Sequence, residues 1–341
     1  MFRLVTDIVG RRIAKKGFWK TAALFFLFQM LFVSMTLPAI IFLGPFDNIK
    51  SIAVGASHRT LSHQYIARLF LSDEAINEIL RENTVWDYGF GEEKIQVLRF
   101  DSKRSDKIEV YNIKGIDFNG KLMVVHDPAR IAAAYSDKLP EAGQTVSALA
   151  KENNAVGAIN AGGFQDNSLT GTGGSPMGFI ISGGRVIYSQ LESEKERIDT
   201  AAFTKDGMLI VGKHSLEQLK EYGVKEAVSF GPPLIVNGKP SISQGDGGWG
   251  IAPRTAIGQR ETGEVLLLTV DGRSASTFGA TLRDIQDILL TYGAVNAVNL
   301  DGGSSTTMFF NGRVINTPSD RLGERAVPSA FIVTWGEGYD R

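Results

Sequence analysis

The stretch 296–306 reads NAVNLDGGSST and constrains the fold more than any other part of this 341-residue chain. In it an apolar strand runs directly into an acid, two glycines and three hydroxyl residues. A glycine accepts a positive φ and lets a ligand approach the backbone where a Cβ would block it. A plain turn between strands needs one such glycine and no run of hydroxyls after it. The stretch therefore predicts that a strand end brings Asp301, backbone amides and hydroxyls to one small polar ligand.

A helix and a strand lead into this turn. Thr281 and Asp284 form a capping-box pattern, Gly293 stands where a helix ends, and the strand Ala294–Leu300 follows. An upstream unit, GAINAGGF…PMGFIISGGRVI, echoes NAVNLDGGS…TMFFNGRVI, although short hairpins also match by chance. If the echo is real, the two Gly-Gly turns meet at one site. With 38 glycines, we expect an α+β (mixed α/β) domain that has a central mixed β-sheet, flanking helices and the site at strand ends.

The N-terminal segment predicts a membrane anchor. Residues 21–43 are apolar except at four positions, and about 20 apolar residues span a bilayer as a helix. Six basic residues and one acid precede this segment, so the positive-inside rule places the N-terminus in the cytoplasm. With a whole-chain net charge of −1, residues 47–341 carry −6, which argues against nucleic acid as a partner. We expect a single-pass cell-membrane protein with its folded domain outside the cytoplasm.

These patterns divide the chain into four parts: a basic cytoplasmic tail at 1–20, a transmembrane helix at 21–43, a helical stem at 44–94 and a folded domain at 95–341. In the stem, Ser72 predicts a helix N-cap. In the domain, Asn119-Gly120 predicts a hairpin turn. The chain has no cysteine, which excludes thiolate metal sites and redox chemistry at cysteine.

Four glycine-rich segments supply polar groups: 160–178, then 230–237 with 243–250, then 253–258 with 270–274, and last 301–306. Among their charged side chains are two arginines, Arg254 and Arg273, and three acids, Asp246, Asp271 and Asp301. This set suits a phosphate-bearing substrate and acid–base chemistry. Arginine pairs bidentately with phosphate, and two carboxylates in one pocket can take different pKa values. An ordinary salt bridge stays open for each arginine. Trp249, between glycines, is either a platform for a sugar or a plug at the edge of the core.

Taken in order, NAGGF, FGPPLIVNG, PRTAIG, VDGRS…GATL, NAVNLDGGSST and VPSAFIV resemble the phosphodiester glycosidase family over about 146–335. The resemblance implies that 95–341 is a phosphodiester glycosidase-like catalytic domain. Such a domain would hydrolyse a sugar-1-phosphodiester at the glycosidic bond and release free sugar and a phosphomonoester. The substrate would be of the N-acetylhexosamine-1-phosphate type, in a cell-wall polymer or exopolysaccharide. The residues implied as catalytic are Asp301, Asp271 and Arg254. The residues implied as substrate-binding are Asn160, Gly162, Gly163, Phe164, Arg273, Gly302, Gly303, Ser304, Ser305 and Thr306.

Two other functions stay open. A non-catalytic glycan-binding protein of exopolysaccharide assembly would need Trp249 and the arginines, but would tolerate loss of Asp301. A metal-dependent phosphodiesterase would attack phosphorus and would bind Ca²⁺ or Mg²⁺ through Asp246, Asp271 and Asp301. No cofactor is expected, although a requirement for a divalent cation such as Ca²⁺ stays open.

Overall fold

A computed structural model describes residues 2–58, 65–82, 105–165, 172–274 and 277–336. The chain forms two compact units, Met1–Ile79 and Leu80–Arg341. The α-helices are α1 (Phe2–Leu43), α2 (Asp47–His58), α3 (Tyr65–Arg68), α4 (Asp73–Glu82), α5 (Val146–Glu152), α6 (Leu216–Glu221) and α7 (Leu282–Thr291). Short 3₁₀ turns lie at Pro128–Arg130 and Gly303–Ser305.

The strands are β1 (Ile108–Lys114), β2 (Asn119–Val125), β3 (Ile131–Tyr135), β4 (Ala155–Asn160), β5 (Phe164–Gln165), β6 (Ser175–Pro176), β7 (Phe179–Ser182), β8 (Arg185–Ser189), β9 (Ile198–Thr204), β10 (Leu209–His214), β11 (Val224–Ser229), β12 (Pro233–Val236), β13 (Lys239–Pro240), β14 (Arg254–Arg260), β15 (Val265–Val270), β16 (Ala294–Leu300), β17 (Met308–Phe310), β18 (Arg313–Val314) and β19 (Ser329–Thr334).

The first unit is helical. Helix α1 is longer than the expected 21–43 because the residues before the apolar stretch are also helical. Within it, Phe18–Leu43 is long and apolar enough to cross a membrane, and most of its large apolar side chains are exposed. The Ser72 hydroxyl accepts a hydrogen bond from the amide of Ala75 at 3.2 Å, which confirms the predicted N-cap of α4. Residues 59–64 and 83–104, part of the expected stem and the start of the expected domain, lie outside the described residues.

Three larger sheets build the second unit. A seven-stranded sheet has the order β1-β2-β15-β14-β16-β12-β13. The two five-stranded sheets have the orders β10-β9-β11-β7-β8 and β18-β17-β4-β19-β3. In the second of these, the last strand, β19, lies between β3 and β4 and pairs with both.

One core joins the three sheets, and α5, α6 and α7 each cover a further face. In β15, Val265 and Leu267 point into the shared core, while Leu266 and Leu268 pack towards α7. Strand β15 is therefore buried on both faces, which explains its continuous apolar sequence. Helix α5 packs against the sheet that holds β4, and α6 against the sheet that holds β9.

The α+β class is confirmed, but two details differ from the expectation. Every strand pairing among the described residues is antiparallel, and several sheets replace one central mixed sheet. The predicted hairpin turn at Asn119-Gly120 is wrong, because both residues belong to β2 and the turn is closed by the amide of Gly115 on the carbonyl of Phe118. Gly120 instead permits close approach to the backbone of Thr269, which a Cβ would meet at 2.6 Å.

Candidate active site

One edge of the seven-stranded sheet gathers three of the predicted site residues. Arg254 begins β14, and the first two residues of β14 face the last residues of β15 and β16 in antiparallel register. Asp271 and Asp301 directly follow β15 and β16. Because a strand start lies beside two antiparallel strand ends, Arg254, Asp271 and Asp301 come to the same edge.

The two predicted Gly-Gly turns meet at this edge, as the sequence echo suggested. The amide of Asp301 donates to the carbonyl of Ala161 at 3.0 Å, and Nδ2 of Asn160 donates to the carbonyl of Asp301 at 2.5 Å. Oδ1 of Asn160 accepts from Oγ1 of Thr255 at 2.8 Å and from the amide of Thr307 at 3.1 Å. Asn160 is fully buried, so its role is to join the two turns rather than to face a ligand.

Several backbone amides of the Asp301 turn already donate hydrogen bonds within the protein. Gly303 has φ +60°, as predicted for a turn that needs glycine, whereas Gly302 has φ −122°. The amide of Gly303 donates to the carbonyl of Pro253 at 2.8 Å, and those of Ser305 and Thr306 donate within the turn. Ser305 and Thr306 are buried, whereas Gly302, Gly303 and Ser304 are partly exposed. Ligand contact is thus available mainly on the 302–304 side.

Two arginines flank that exposed side. The guanidinium of Arg273 lies against Gly303, where a Cβ would be 3.3 Å from Nη2. Nη1 of Arg325 donates to the hydroxyl of Ser304 at 2.9 Å. The pKa of Arg273 is lowered, first by burial of its guanidinium and then by the positive charge of Arg325. Two neighbouring cations that raise each other's energy favour an anion between them.

Arg325 was missed by the sequence analysis, and the structure shows how it is held. Its guanidinium carbon lies 4.9 Å from the ring centroid of Phe164, a cation–π contact. Next to it, Oε2 of Glu324 accepts from the amide of Ser147 in the first turn of α5 at 2.9 Å. The amides of Gln144 and Val327 donate to each other's carbonyls. The segment that carries Arg325 is therefore anchored on both sides.

Arg254 binds backbone carbonyls of the protein and does not face an open ligand position. It is 4% exposed, and Nη2 donates to the carbonyls of Trp249 at 3.0 Å and Gly250 at 2.6 Å. Nε donates to the carbonyl of Ala280 at 3.0 Å. Burial lowers its pKa to about 10 while the charge of Asp246 raises it, so Arg254 remains a cation at neutral pH. Its position fixes the loop of Trp249.

The side-chain amide of Asn316 links Asp271 to the Asp301 turn. Oδ1 of Asp271 accepts from Nδ2 of Asn316 at 2.9 Å and from the amide of Thr317 at 3.1 Å. The same Nδ2 donates to the carbonyl of Thr306 at 3.1 Å. Burial raises the pKa of Asp271, and the hydrogen bonds from Asn316 and Thr317 lower it in part. Asn316, also missed from the sequence, thereby couples a carboxyl group of raised pKa to the turn.

The first Gly-Gly turn packs tightly against its neighbours. The amide of Gly162 donates to Oγ of Ser329 at 3.1 Å. A Cβ on Gly163 would lie 2.5 Å from two ring atoms of Phe230, so only glycine lets this ring rest on the turn. Both glycines therefore serve packing at the site.

The three acids proposed as metal ligands do not assemble into a metal site. Asp246 is buried, its Oδ1 accepts from the amide of Gly248 at 2.9 Å, and its charge acts on Arg254. Among the residues that the structure describes, no group of three or more His, Asp or Glu could hold a metal ion. The geometry thus gives no support to the metal-dependent alternative. Residues 166–171, in the first glycine-rich segment, and residues 275–276, directly after the third, lie outside the described part.

Known proteins share sequence with more than half of this chain. The uncharacterized protein YomE, derived from the SPbeta prophage of Bacillus subtilis (strain 168), is 34% identical over 200 residues, 56% of this chain and 30% of that protein. The Bos taurus N-acetylglucosamine-1-phosphodiester alpha-N-acetylglucosaminidase is 31% identical over 193 residues, 52% of this chain and 35% of that protein. The matched regions thus make up about a third of these relatives' lengths.

The fold is also that of a solved structure. The zebrafish N-acetylglucosamine-1-phosphodiester alpha-N-acetylglucosaminidase catalytic domain, auto-inhibited by its pro-peptide, superposes with a TM-score of 0.60 at 24% identity. The match covers 71% of this chain and 87% of that domain. The model of the phosphodiester glycosidase family matches residues 153–334, more than half of the chain and all of the edge described above. The chain therefore belongs to the phosphodiester glycosidase family, a family of hydrolases.

Proposed function

We propose that this protein hydrolyses the glycosidic bond of sugar-1-phosphodiesters at the Asp301 turn. The observation that carries the proposal is the pair of arginines, Arg273 and Arg325, beside the exposed side of that turn. Guanidinium groups pair bidentately with phosphate, and two of them can hold a diester that carries one negative charge. A neutral sugar alone would not stabilise this pair of cations.

The roles of the acids follow from their positions. Asp301 is fixed by the backbone contacts to Asn160 and Ala161, next to the arginine pair, and acts as general acid or base. Asp271, whose pKa is raised by burial, is the second carboxyl group that acid–base chemistry requires. In the reaction, the oxygen of water bonds to the anomeric carbon and one of its protons passes to the carboxylate that acts as base. The bond from that carbon to the phosphate oxygen breaks. The phosphomonoester leaves with the shared electron pair and is held by the arginines.

The N-terminal helix gives the proposal a location. The apolar stretch Phe18–Leu43 acts as a signal anchor, and the basic residues before it keep the N-terminus in the cytoplasm. The hydrolase domain then lies outside the cytoplasm, where its substrates are glycopolymers of the cell surface joined through N-acetylhexosamine-1-phosphate. Because residues 47–341 carry a net charge of −6, the local arginine pair rather than the overall charge attracts such polymers.

The test follows the fate of the water oxygen. The full chain, purified in detergent, is incubated with the methyl diester of N-acetylglucosamine-1-phosphate in ¹⁸O-labelled water, and products are identified by mass spectrometry and phosphorus NMR. We expect ¹⁸O in the free sugar. Label in the phosphate would mean attack at phosphorus and would overturn the proposal, as would binding without any turnover, which is the behaviour of a glycan-binding protein.

Variants tie the activity to the site. Asp301→Asn should lower kcat at least about a hundredfold if Asp301 is the acid or base. The matched control is Asp287→Asn on the exposed face of α7, which should leave the rate unchanged. An Asp301→Asn rate within tenfold of wild type would remove Asp301 from the chemistry.

A further inference from the structure

We propose that Met177, Phe230 and Trp249, here named the apolar wall, form the seat of the sugar ring. The substrate then lies with its phosphate at Arg273 and Arg325 and its sugar against the apolar wall. In this orientation the glycosidic bond lies at the Asp301 turn. This inference rests on the proposed function and adds an orientation and a recognition surface to it.

The position of Phe230 is fixed by the first Gly-Gly turn. Its ring occupies the space that a Cβ of Gly163 would need, and the amide of Gly163 donates to the carbonyl of Ser229 at 3.4 Å. Two residues before Gly163, the carbonyl of Ala161 accepts from the amide of Asp301. The ring of Phe230 is therefore held beside the backbone that carries the proposed acid or base.

Trp249 is held against Phe230 by Arg254. The two ring centroids lie 6.0 Å apart at an interplanar angle of 77°, an edge-to-face pair. Arg254 donates to the carbonyls of Trp249 and Gly250, and its guanidinium carbon lies 5.9 Å from the indole centroid. Arg254 is thus a positioning residue for the apolar wall, a different role from the phosphate contact expected from the sequence.

Exposure and chemistry select a sugar as the occupant. Met177 is 41% exposed, Phe230 and Trp249 are half-buried, and Sδ of Met177 lies near the same face of Gly163 as the ring of Phe230. The wall is apolar and contacts the first Gly-Gly turn, whereas the arginine pair contacts the second turn at Gly303 and Ser304. A pyranose presents an apolar face of C–H groups and a polar rim, and ligand sites commonly combine aromatic surface with a few charged groups. A phosphate has no apolar face and would not bind there.

The competing explanation is that the rings only close the end of the core, since Trp249 also packs on buried residues that surround α7. The two explanations differ in what the rings recognise. A seat for sugar changes the binding of sugar alone, whereas a structural plug changes stability or all binding together.

The experiment measures the two halves of the ligand separately on the full chain. Binding of N-acetylglucosamine, N-acetylgalactosamine and glucose is followed by saturation-transfer NMR, and binding of inorganic phosphate by calorimetry. Phe230→Leu, Trp249→Leu and the milder Trp249→Phe are compared with Tyr111→Leu, which alters a ring pair of similar spacing (Tyr111 and Tyr292, 5.9 Å) elsewhere in the domain. Arg325→Gln serves as the reciprocal variant.

We expect Phe230→Leu and Trp249→Leu to weaken binding of the preferred sugar about tenfold and to leave phosphate binding within twofold, with Arg325→Gln showing the reverse pattern. In turnover, KM should rise about tenfold while kcat changes little. If Trp249→Leu does not fold, Phe230→Leu and Trp249→Phe decide the matter.

Two results would overturn the proposal: wild-type protein that binds none of the three sugars, or wall variants that lose sugar and phosphate equally or lose neither. These results are separate from the fate of the proposed function. Turnover with an unchanged KM in the wall variants would refute the role of the apolar wall and leave the proposed hydrolysis standing. Selective loss of sugar binding in a protein without turnover would support the wall and sink the hydrolytic function.

Discussion

Replacing Asn160 by alanine should destabilise the domain and disable the site together. Asn160 is fully buried and makes three hydrogen bonds, to the carbonyl of Asp301, the amide of Thr307 and the hydroxyl of Thr255. Alanine removes the partner of all three groups, of which those of Thr255 and Thr307 belong to fully buried residues and that of Asp301 to a partly buried one. The hydroxyl of Thr255 can turn towards Oγ1 of Thr306, which is already 3.4 Å away, but the carbonyl and the amide are fixed.

The magnitude follows from those two fixed groups. A buried polar group that loses its partner costs about 1–3 kcal/mol, and water that enters the space of the lost amide recovers part of this. We therefore expect the free energy of unfolding to fall by about 3 kcal/mol. The Asp301 carbonyl also loses the hydrogen bond that holds it in place. Because small misplacements of catalytic groups lower reaction rates strongly, kcat should fall at least about tenfold.

The assay is urea unfolding of the full chain in detergent, followed by tryptophan fluorescence, together with hydrolysis rates. Asn112→Ala on the exposed face of β1 is the control and should cost less than about 0.5 kcal/mol. A double-mutant cycle with Thr255→Val should give a coupling of about 1 kcal/mol. If Asn160→Ala costs no more than the control and keeps its rate, the two turns do not depend on this side chain and the reasoning is refuted.

Three further predictions concern charge, pH and packing. Arg325→Lys keeps the charge but loses the planar fork, so KM for the phosphodiester should rise about tenfold, and an unchanged KM would count against a phosphate contact. Burial raises the pKa of Glu226 above 4.5, so the stability linked to its proton is present below about pH 4.5 and is lost as pH rises through the raised pKa. Glu226→Gln should therefore gain stability relative to wild type between pH 4 and pH 7 in urea unfolding. A stability difference that stays constant with pH would contradict this. Gly163→Ala forces the Phe230 ring to move and should cost about 1–3 kcal/mol in thermal unfolding, whereas a neutral effect would show that the ring is not fixed there.

Local features of this fold were predictable because their causes are local. The capping box of Thr281 and Asp284 is present, Thr145 caps α5, and Gly293 has φ +84° after α7. In each case the stabilising contact joins residues within about one turn, so the sequence pattern contains both partners. Strand direction was not predictable in this way, since alternation of side chains is the same in parallel and antiparallel strands.

The candidate site was predictable only where a functional residue directly follows an apolar strand in the sequence. Asp301 and Asp271 directly follow apolar strands, and both lie at the predicted edge. Arg325 follows no strand, and its place depends on a bridge between Gln144 and Val327 that no local pattern reveals. Arg254 shows the opposite case, because an arginine before a strand looks the same whether it meets a ligand or backbone carbonyls.

The position of β19 bears on how this protein is made. Because β19 lies between β3 and β4, a chain that has not yet supplied Ser329–Thr334 leaves two unpaired strand edges in the middle of a sheet. Unpaired edges readily join strands of other molecules. During synthesis the nascent domain therefore stays prone to association until almost all of the matched region has emerged, and a truncation just before 329 should yield aggregates rather than a shortened hydrolase.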